Sequence, residues 1–116
     1  MSAPRSLSSF VTSVALVLLA GCDDATLEDT PCPPEGTSLT YESFGEPFFN
    51  AYCNHCHGGR NGYSSRAFPS VTRIREDRER IFATAAANNV SMPPGPDDPP
   101  AIERERLAEW LACGAP

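Results

Sequence analysis

The residues with the clearest chemical potential are Cys53-Asn54-His55-Cys56-His57, where two thiols stand three positions apart and an imidazole follows the second thiol directly. Such groups serve three chemistries: covalent haem attachment, structural zinc binding, and thiol–disulfide exchange. On a helix the two thiols point the same way, and His57, four residues after Cys53, shares that face. The spacing therefore favours a haem whose two vinyl groups take the thiols and whose iron takes His57.

The other two chemistries have weaker support in the sequence. Structural zinc sites usually take ligands from two separated pairs, and Cys113 is the only later candidate. A redox Cys-x-x-Cys pair needs a thiol of low pKa, typically at a helix N-terminus in a βαβ unit. Here the motif closes a predicted helix and no strands are predicted, so zinc and thiol exchange stay as alternatives.

Met92 is the only methionine besides the initiator, and it precedes Pro93 and Pro94. A thioether is a soft ligand, and a His/Met pair raises the potential of haem iron. Pro93 pushes Met92 towards an extended conformation, and the two prolines lower the entropy lost when the loop is ordered. We therefore predict Met92 as the distal axial ligand; the alternative is that its side chain fills a gap in the core.

The first residues have the layout of an export signal, which is removed from the mature protein. Arg5 supplies a positive start, and residues 10–20 form an apolar run shorter than the roughly 20 residues that span a bilayer. Leu19-Ala20-Gly21-Cys22 resembles the bacterial lipobox, in which the cysteine is lipidated and becomes the mature N-terminus. We expect a signal peptide over 1–21 and a periplasm-facing lipoprotein of the cell envelope, although an ordinary signal peptide or a short anchor would share these features.

Composition limits the partners and divides the rest of the chain. The 116 residues carry a net charge of −6 and no lysine, which argues against nucleic acid as a partner. Residues 22–40 are acidic, rich in proline and poor in apolar side chains, so we predict a lipidated tether there. One small domain follows over 41–116.

Three helices are predicted in that domain, with no strands. The first spans about 43–57, with a capping box of Ser43 and Glu46. The second spans about 72–88. The last spans about 99–112, with Asp98 as its N-cap and Gly114 beyond its end. The apolar positions that we expect to be buried in the second and last helices are Ile74, Ile81, Phe82, Ala85, Leu107, Trp110 and Leu111.

Over about residues 43–113 the chain resembles a class I cytochrome c. The residues that carry the resemblance are the Cys53–His57 motif, Met92-Pro93-Pro94, and the last helix with its Leu-Ala-Glu-Trp-Leu run. The resemblance implies a small all-α fold with about three main helices around one covalently bound haem c. In this family a glycine and an aromatic of the first helix cross an aromatic of the last helix. The matching residues are Gly45 and Phe49 in the first helix and Leu107 and Trp110 in the last.

Two cysteines lie outside the motif and the proposed lipid site. If the haem takes Cys53 and Cys56, then Cys32 and Cys113 are left as one natural disulfide pair, which would tie the tether to the end of the last helix. Free thiols are the alternative, but they are uncommon in exported proteins.

With both axial positions filled, the iron has no open site for a substrate. We therefore expect an electron carrier rather than an enzyme, with a protein as redox partner, a membrane contact through the lipid, and no small-molecule substrate. The alternatives are a haem enzyme or a gas or peroxide sensor with a labile Met92, and a haem-free interaction module. Arg60, Arg66 and Arg73 are candidate partners for a haem propionate, and the sequence does not select among them.

Overall fold

The computed structural model describes residues 23–57 and 68–116, and these residues form helices and connecting segments without a strand. Within these two ranges, a π-helical turn at Tyr41–Gly45 is followed by five α-helices. These helices are α1 Glu46–Tyr52, α2 Asn54–His57, α3 Val71–Glu76, α4 Arg78–Ala85 and α5 Ala101–Ala112. The predicted all-α fold class is confirmed.

The first predicted helix begins earlier than its sequence pattern suggests. Thr40, and not Ser43, is the N-cap: its side chain accepts a hydrogen bond from the Ser43 N–H, and the Ser43 hydroxyl accepts one from the Thr40 N–H. The π-helical turn is closed by hydrogen bonds from the Gly45 N–H to the Thr40 carbonyl and from the Glu46 N–H to the Tyr41 carbonyl, each five residues back. Pro47, which has no N–H, then falls in the first turn of α1, where a missing donor costs least.

The same helix is interrupted at Cys53, whose backbone angles (φ −120°, ψ −48°) end α1. The Cys53 carbonyl accepts hydrogen bonds from the N–H groups of Cys56 at 3.2 Å and His57 at 2.8 Å. The motif therefore lies on one short helical turn, α2, which begins directly after the first thiol.

The second predicted helix is two helices, α3 and α4, separated at Asp77. The N-cap of α3 is Ser70, whose side chain accepts a hydrogen bond from the Arg73 N–H. At Asp77 the backbone leaves the helical region (φ −95°, ψ 11°), and its carboxylate lies 3.1 Å from the Arg73 guanidinium. The predicted apolar side is confirmed, since Ile74, Ile81, Phe82 and Ala85 are all buried.

The last helix begins at Ala101, with Pro100 as an N-cap that makes no side-chain hydrogen bond. The predicted Asp98 cap is therefore wrong: the Asp98 carboxylate lies against Gly95 instead. Beyond α5, Gly114 adopts the left-handed conformation (φ +93°) that favours glycine.

The π-helical turn and α1 together form the first helical segment, residues 41–52. The core forms where this segment crosses α5. An added Cβ at Gly45 would lie 2.6 Å from ring atoms of Trp110, so only a glycine permits this approach. Phe49, Leu107 and Trp110 are each buried, and the Phe49 and Trp110 ring centroids are 6.4 Å apart. The residues that the family resemblance assigns to the helix crossing therefore meet there.

Residues 23–40 lie against this domain. Ala25, Leu27 and Leu39 pack on the core, and Cys32 forms a disulfide with Cys113, with their Cα atoms 4.7 Å apart. The segment that composition predicts to be a tether thus has ordered contacts along its length.

Candidate haem site

An apolar cleft opens between the first helical segment, α4 and the loop that follows α4. The space between its walls is about 770 Å³ when the open solvent at its mouth is included. The residues that line it are Phe49, Tyr52, Cys53, Cys56, His57, Phe68, Asp77, Arg80, Ile81, Thr84, Ala85, Met92, Pro93 and Pro94. All four residues predicted to bind the haem are therefore brought to one cavity.

One wall of the cleft carries the Cys-x-x-Cys-His motif. Cys53 is half-buried, Cys56 is exposed, and both are free thiols. The His57 ring packs on Phe68, with ring centroids 5.3 Å apart, and the His57 carbonyl accepts a hydrogen bond from the Phe68 N–H at 3.2 Å. Thiols and imidazole thus face the same apolar space.

Met92 belongs to the loop on the other wall. Its N–H donates to the Thr84 carbonyl at 2.8 Å, and its own carbonyl accepts from Arg104 Nη1 at 2.8 Å. The residue is 38% exposed. Two hydrogen bonds fix its main chain while its side chain lines the cleft.

Arg104 is the functional residue that sequence reasoning missed. It is only 3% exposed, and its Nη1 donates to the carbonyls of Ala85 at 2.8 Å, Asn89 at 3.1 Å and Met92 at 2.8 Å. Its Nη2 is buried with no hydrogen-bond partner among the described residues. The sequence feature that could have identified Arg104 as buried is its position three residues before Leu107, on the buried side of α5.

The donor set fits a haem bound through two thioethers. Two free thiols, one imidazole and one thioether line a cavity whose other walls are mainly aromatic, aliphatic and proline side chains. Polar groups of Asp77, Arg80 and Thr84 lie on the α4 side. Of the arginines considered for a propionate, Arg73 pairs with Glu76 and Asp77, and the other two, at 60 and 66, lie outside the described residues.

The alternatives to haem fit the geometry less well. The later ligand that a zinc site would need, Cys113, is part of the disulfide. A redox pair would need a thiol of low pKa, whereas burial raises the pKa of Cys53 to about 12; the Arg104 guanidinium opposes this and Cys56 adds to it.

A small helical fold with a Cys-x-x-Cys-His turn on one wall of an apolar cleft defines a c-type cytochrome domain. The family model described as cytochrome c oxidase, cbb3-type, subunit III matches residues 43–111, well over half of the chain, so the protein belongs to this family of c-type cytochrome domains. No curated protein and no solved structure gave a significant match. The predicted class and its cofactor, covalently bound haem c, are thereby confirmed.

Proposed function

We propose that this c-type cytochrome is a lipid-anchored electron carrier on the periplasmic side of the cell envelope. In this proposal Cys53 and Cys56 would hold the haem by thioethers, and His57 and Met92 would be the two protein ligands of its iron. The observation that carries it is that these four side chains line a single apolar cleft. When bound, the haem supplies a one-electron Fe(III)/Fe(II) couple.

The chain's own residues would position the ligands and keep water from them. The hydrogen bond from the His57 N–H to the Cys53 carbonyl sets the imidazole one helical turn beyond the first thiol. Phe49, Ile81 and Ala85 are buried beside the cleft and provide its low-dielectric wall. The exposure of Cys56 leaves one edge of the cleft open, where a protein partner would exchange one electron without transfer of atoms.

A second candidate function, a haem enzyme or a sensor, depends on a distal ligand that leaves easily. The two main-chain hydrogen bonds of Met92 favour the carrier, since they hold the ligand in place.

Absorption and electron paramagnetic resonance spectra of the purified holoprotein distinguish the two functions. For a carrier we expect a low-spin ferric spectrum with a methionine–iron charge-transfer band, and a high-spin spectrum after Met92→Ala. Val90→Ala is the matched control, because Val90 lies two residues away and outside the cleft lining. A high-spin spectrum in the unmodified protein would instead support the enzyme or sensor.

The proposed anchor and location have separate support. Cys22 and the signal segment 1–21 lie outside the described residues, and within 23–57 and 68–116 no helix is long and apolar enough to cross a membrane. The disulfide supports export, because such bonds persist in oxidising compartments. The intact mass of the mature protein tests this part, since cleavage before Cys22, a diacyl or triacyl lipid, one haem and one disulfide each change that mass.

A further inference from the structure

The beginning of the 23–40 segment is bound to residues 86–91, which follow α4 and form what we call the α4 corner. The Ala25 N–H donates to Asn88 Oδ1 at 2.8 Å, and Asn88 Nδ2 donates to the Asp23 carbonyl at 3.3 Å. Asn89 is buried, and its Nδ2 donates both to the Ala25 carbonyl at 2.8 Å and to the Phe82 carbonyl at 3.0 Å. These contacts join the segment to the main chain at the end of α4.

The other end of the segment is fixed at the far end of α5. The Cys32–Cys113 disulfide holds it there, and the Thr37 hydroxyl donates to Glu109 Oε1 at 2.6 Å. The Ala87 N–H donates to the Arg104 carbonyl, which places the α4 corner beside the first half of α5. Nine helical steps of 1.5 Å each, about 14 Å in all, separate Arg104 from Cys113. The seven residues from Ala25 to Cys32 bridge this distance, so the segment lies along the domain as a strap.

The strap leaves little chain between the domain and the proposed lipid. Ala25 is three residues after Cys22, and three residues reach at most about 10 Å. A flexible tether over the whole of 23–40 would have an average end-to-end distance more than twice that. A lipidated Cys22 would thus hold the α4 corner at the membrane surface.

This corner suits the headgroup region of a bilayer. Residues 86–92 carry no charged side chain, and Val90, directly after the strap-binding Asn89, is 64% exposed. Asp23 and Asp24 lie between Cys22 and Ala25, so they are the acidic residues nearest in sequence to the proposed lipid. The far end, with Cys32, Cys113 and Thr37, would then lie at the other end of the strap from the lipid.

We propose that the α4 corner, residues 86–91, rests on the lipid surface, so that the Met92 loop lies at the membrane-proximal end of the domain. This inference rests on the proposed lipid anchor at Cys22. It commits the domain to one orientation on the membrane, which a flexible tether would not do.

The test is amide hydrogen exchange of the lipidated holoprotein on vesicles of phosphatidylethanolamine and phosphatidylglycerol. The reference is a chain that starts at residue 22 with Cys22→Ala and is exported behind an ordinary cleavable signal peptide, so that it carries neither the lipid nor the apolar run of residues 10–20, in the same vesicle suspension. We expect several-fold slower exchange over 88–91 in the lipidated protein and unchanged exchange over 34–39. Equal exchange over 88–91 in a lipidated, vesicle-bound protein would overturn the proposal.

A flexible Gly/Ser linker of eighteen residues inserted between Asp24 and Ala25 tests whether the short connection between Cys22 and Ala25 sets the orientation. Protection over 88–91 should be lost while the protein stays on the vesicles; protection that persists would show that the strap does not set the orientation. The intact mass separates the two proposals. A mass without lipid refutes the anchor and this inference together, whereas a lipidated protein without protection at the corner refutes this inference alone.

Discussion

Arg104 Nη1 lies 2.8 Å from the carbonyl oxygen of Met92, so a buried cation of the last helix holds the main chain of the proposed distal ligand. The same nitrogen also bonds the carbonyls of Ala85 and Asn89, which lie at either end of the turn leading into that loop. The loop is therefore fixed from α5.

Arg104→Met should loosen this loop. It removes the donor of three buried carbonyls, and we expect the free energy of unfolding to fall by about 2–4 kcal/mol. The methionine–iron band should weaken while the haem stays covalently attached. Urea denaturation and the ferric spectrum measure the two effects. Arg106→Lys is the control, because it keeps a cation over the Phe44 ring and its ion pair with Glu103 lies at the surface, where it contributes only about 0–1 kcal/mol. An intact band in Arg104→Met would show that Arg104 does not position Met92.

Gly45→Ala should destabilise the helix crossing, because the new Cβ would lie 2.6 Å from Trp110 ring atoms. Overpacking of this kind costs about 1–3 kcal/mol, to be measured from the urea midpoint. Adding Trp110→Phe makes room at the contact, so the double variant should lose less than the sum of the two single variants. Additive losses would place the clash elsewhere.

Replacing both Cys32 and Cys113 by serine should lower stability without loss of haem. The closed loop spans 81 residues of sequence separation, for which the chain-entropy model gives about 4–5 kcal/mol. Both residues are changed together so that no free thiol is left to form mixed disulfides. Denaturation of the holoprotein gives the stability, and a haem stain after denaturing electrophoresis gives the attachment. Loss of the stain would mean that the bridge is needed before haem can be attached.

Asn89→Ala should release the start of the strap. The side chain joins Ala25 to Phe82 from a buried position, so its loss should cost about 1–3 kcal/mol. Amide exchange over 24–30 should become faster. Asn88→Ala is the comparison, because Asn88 is exposed and its bonds to the same segment compete with water. Equal effects of the two variants would argue against a dominant role for Asn89.

The parts of the fold that sequence could predict depend on local spacing. The positions of Cys53 and His57 on one turn follow from their separation, and the buried sides of α4 and α5 follow from helical periodicity. The break at Asp77 was not predictable, since the apolar pattern continues across it.

The other features that the sequence did not predict depend on contacts between residues far apart in the chain. Arg104 resembles an ordinary surface residue until the carbonyls of the Met92 loop are placed around it. Residues 23–40 have too few apolar side chains to predict order. Their order comes from Asn89 and from the covalent bond to Cys113, both of which lie more than sixty positions away.

The disulfide also sets a problem for biosynthesis. Four cysteines follow Cys22, and four thiols can join in three ways. One way gives the bridge of the folded protein, and the most local competitor links Cys53 to Cys56, which would block both thiols from addition to the vinyl groups. Two thiols must therefore be oxidised while two others stay reduced until the haem arrives. A recombinant host that only oxidises should give chains in which Cys53 and Cys56 are joined, whereas one that only reduces should give haem-loaded chains without the Cys32–Cys113 bridge.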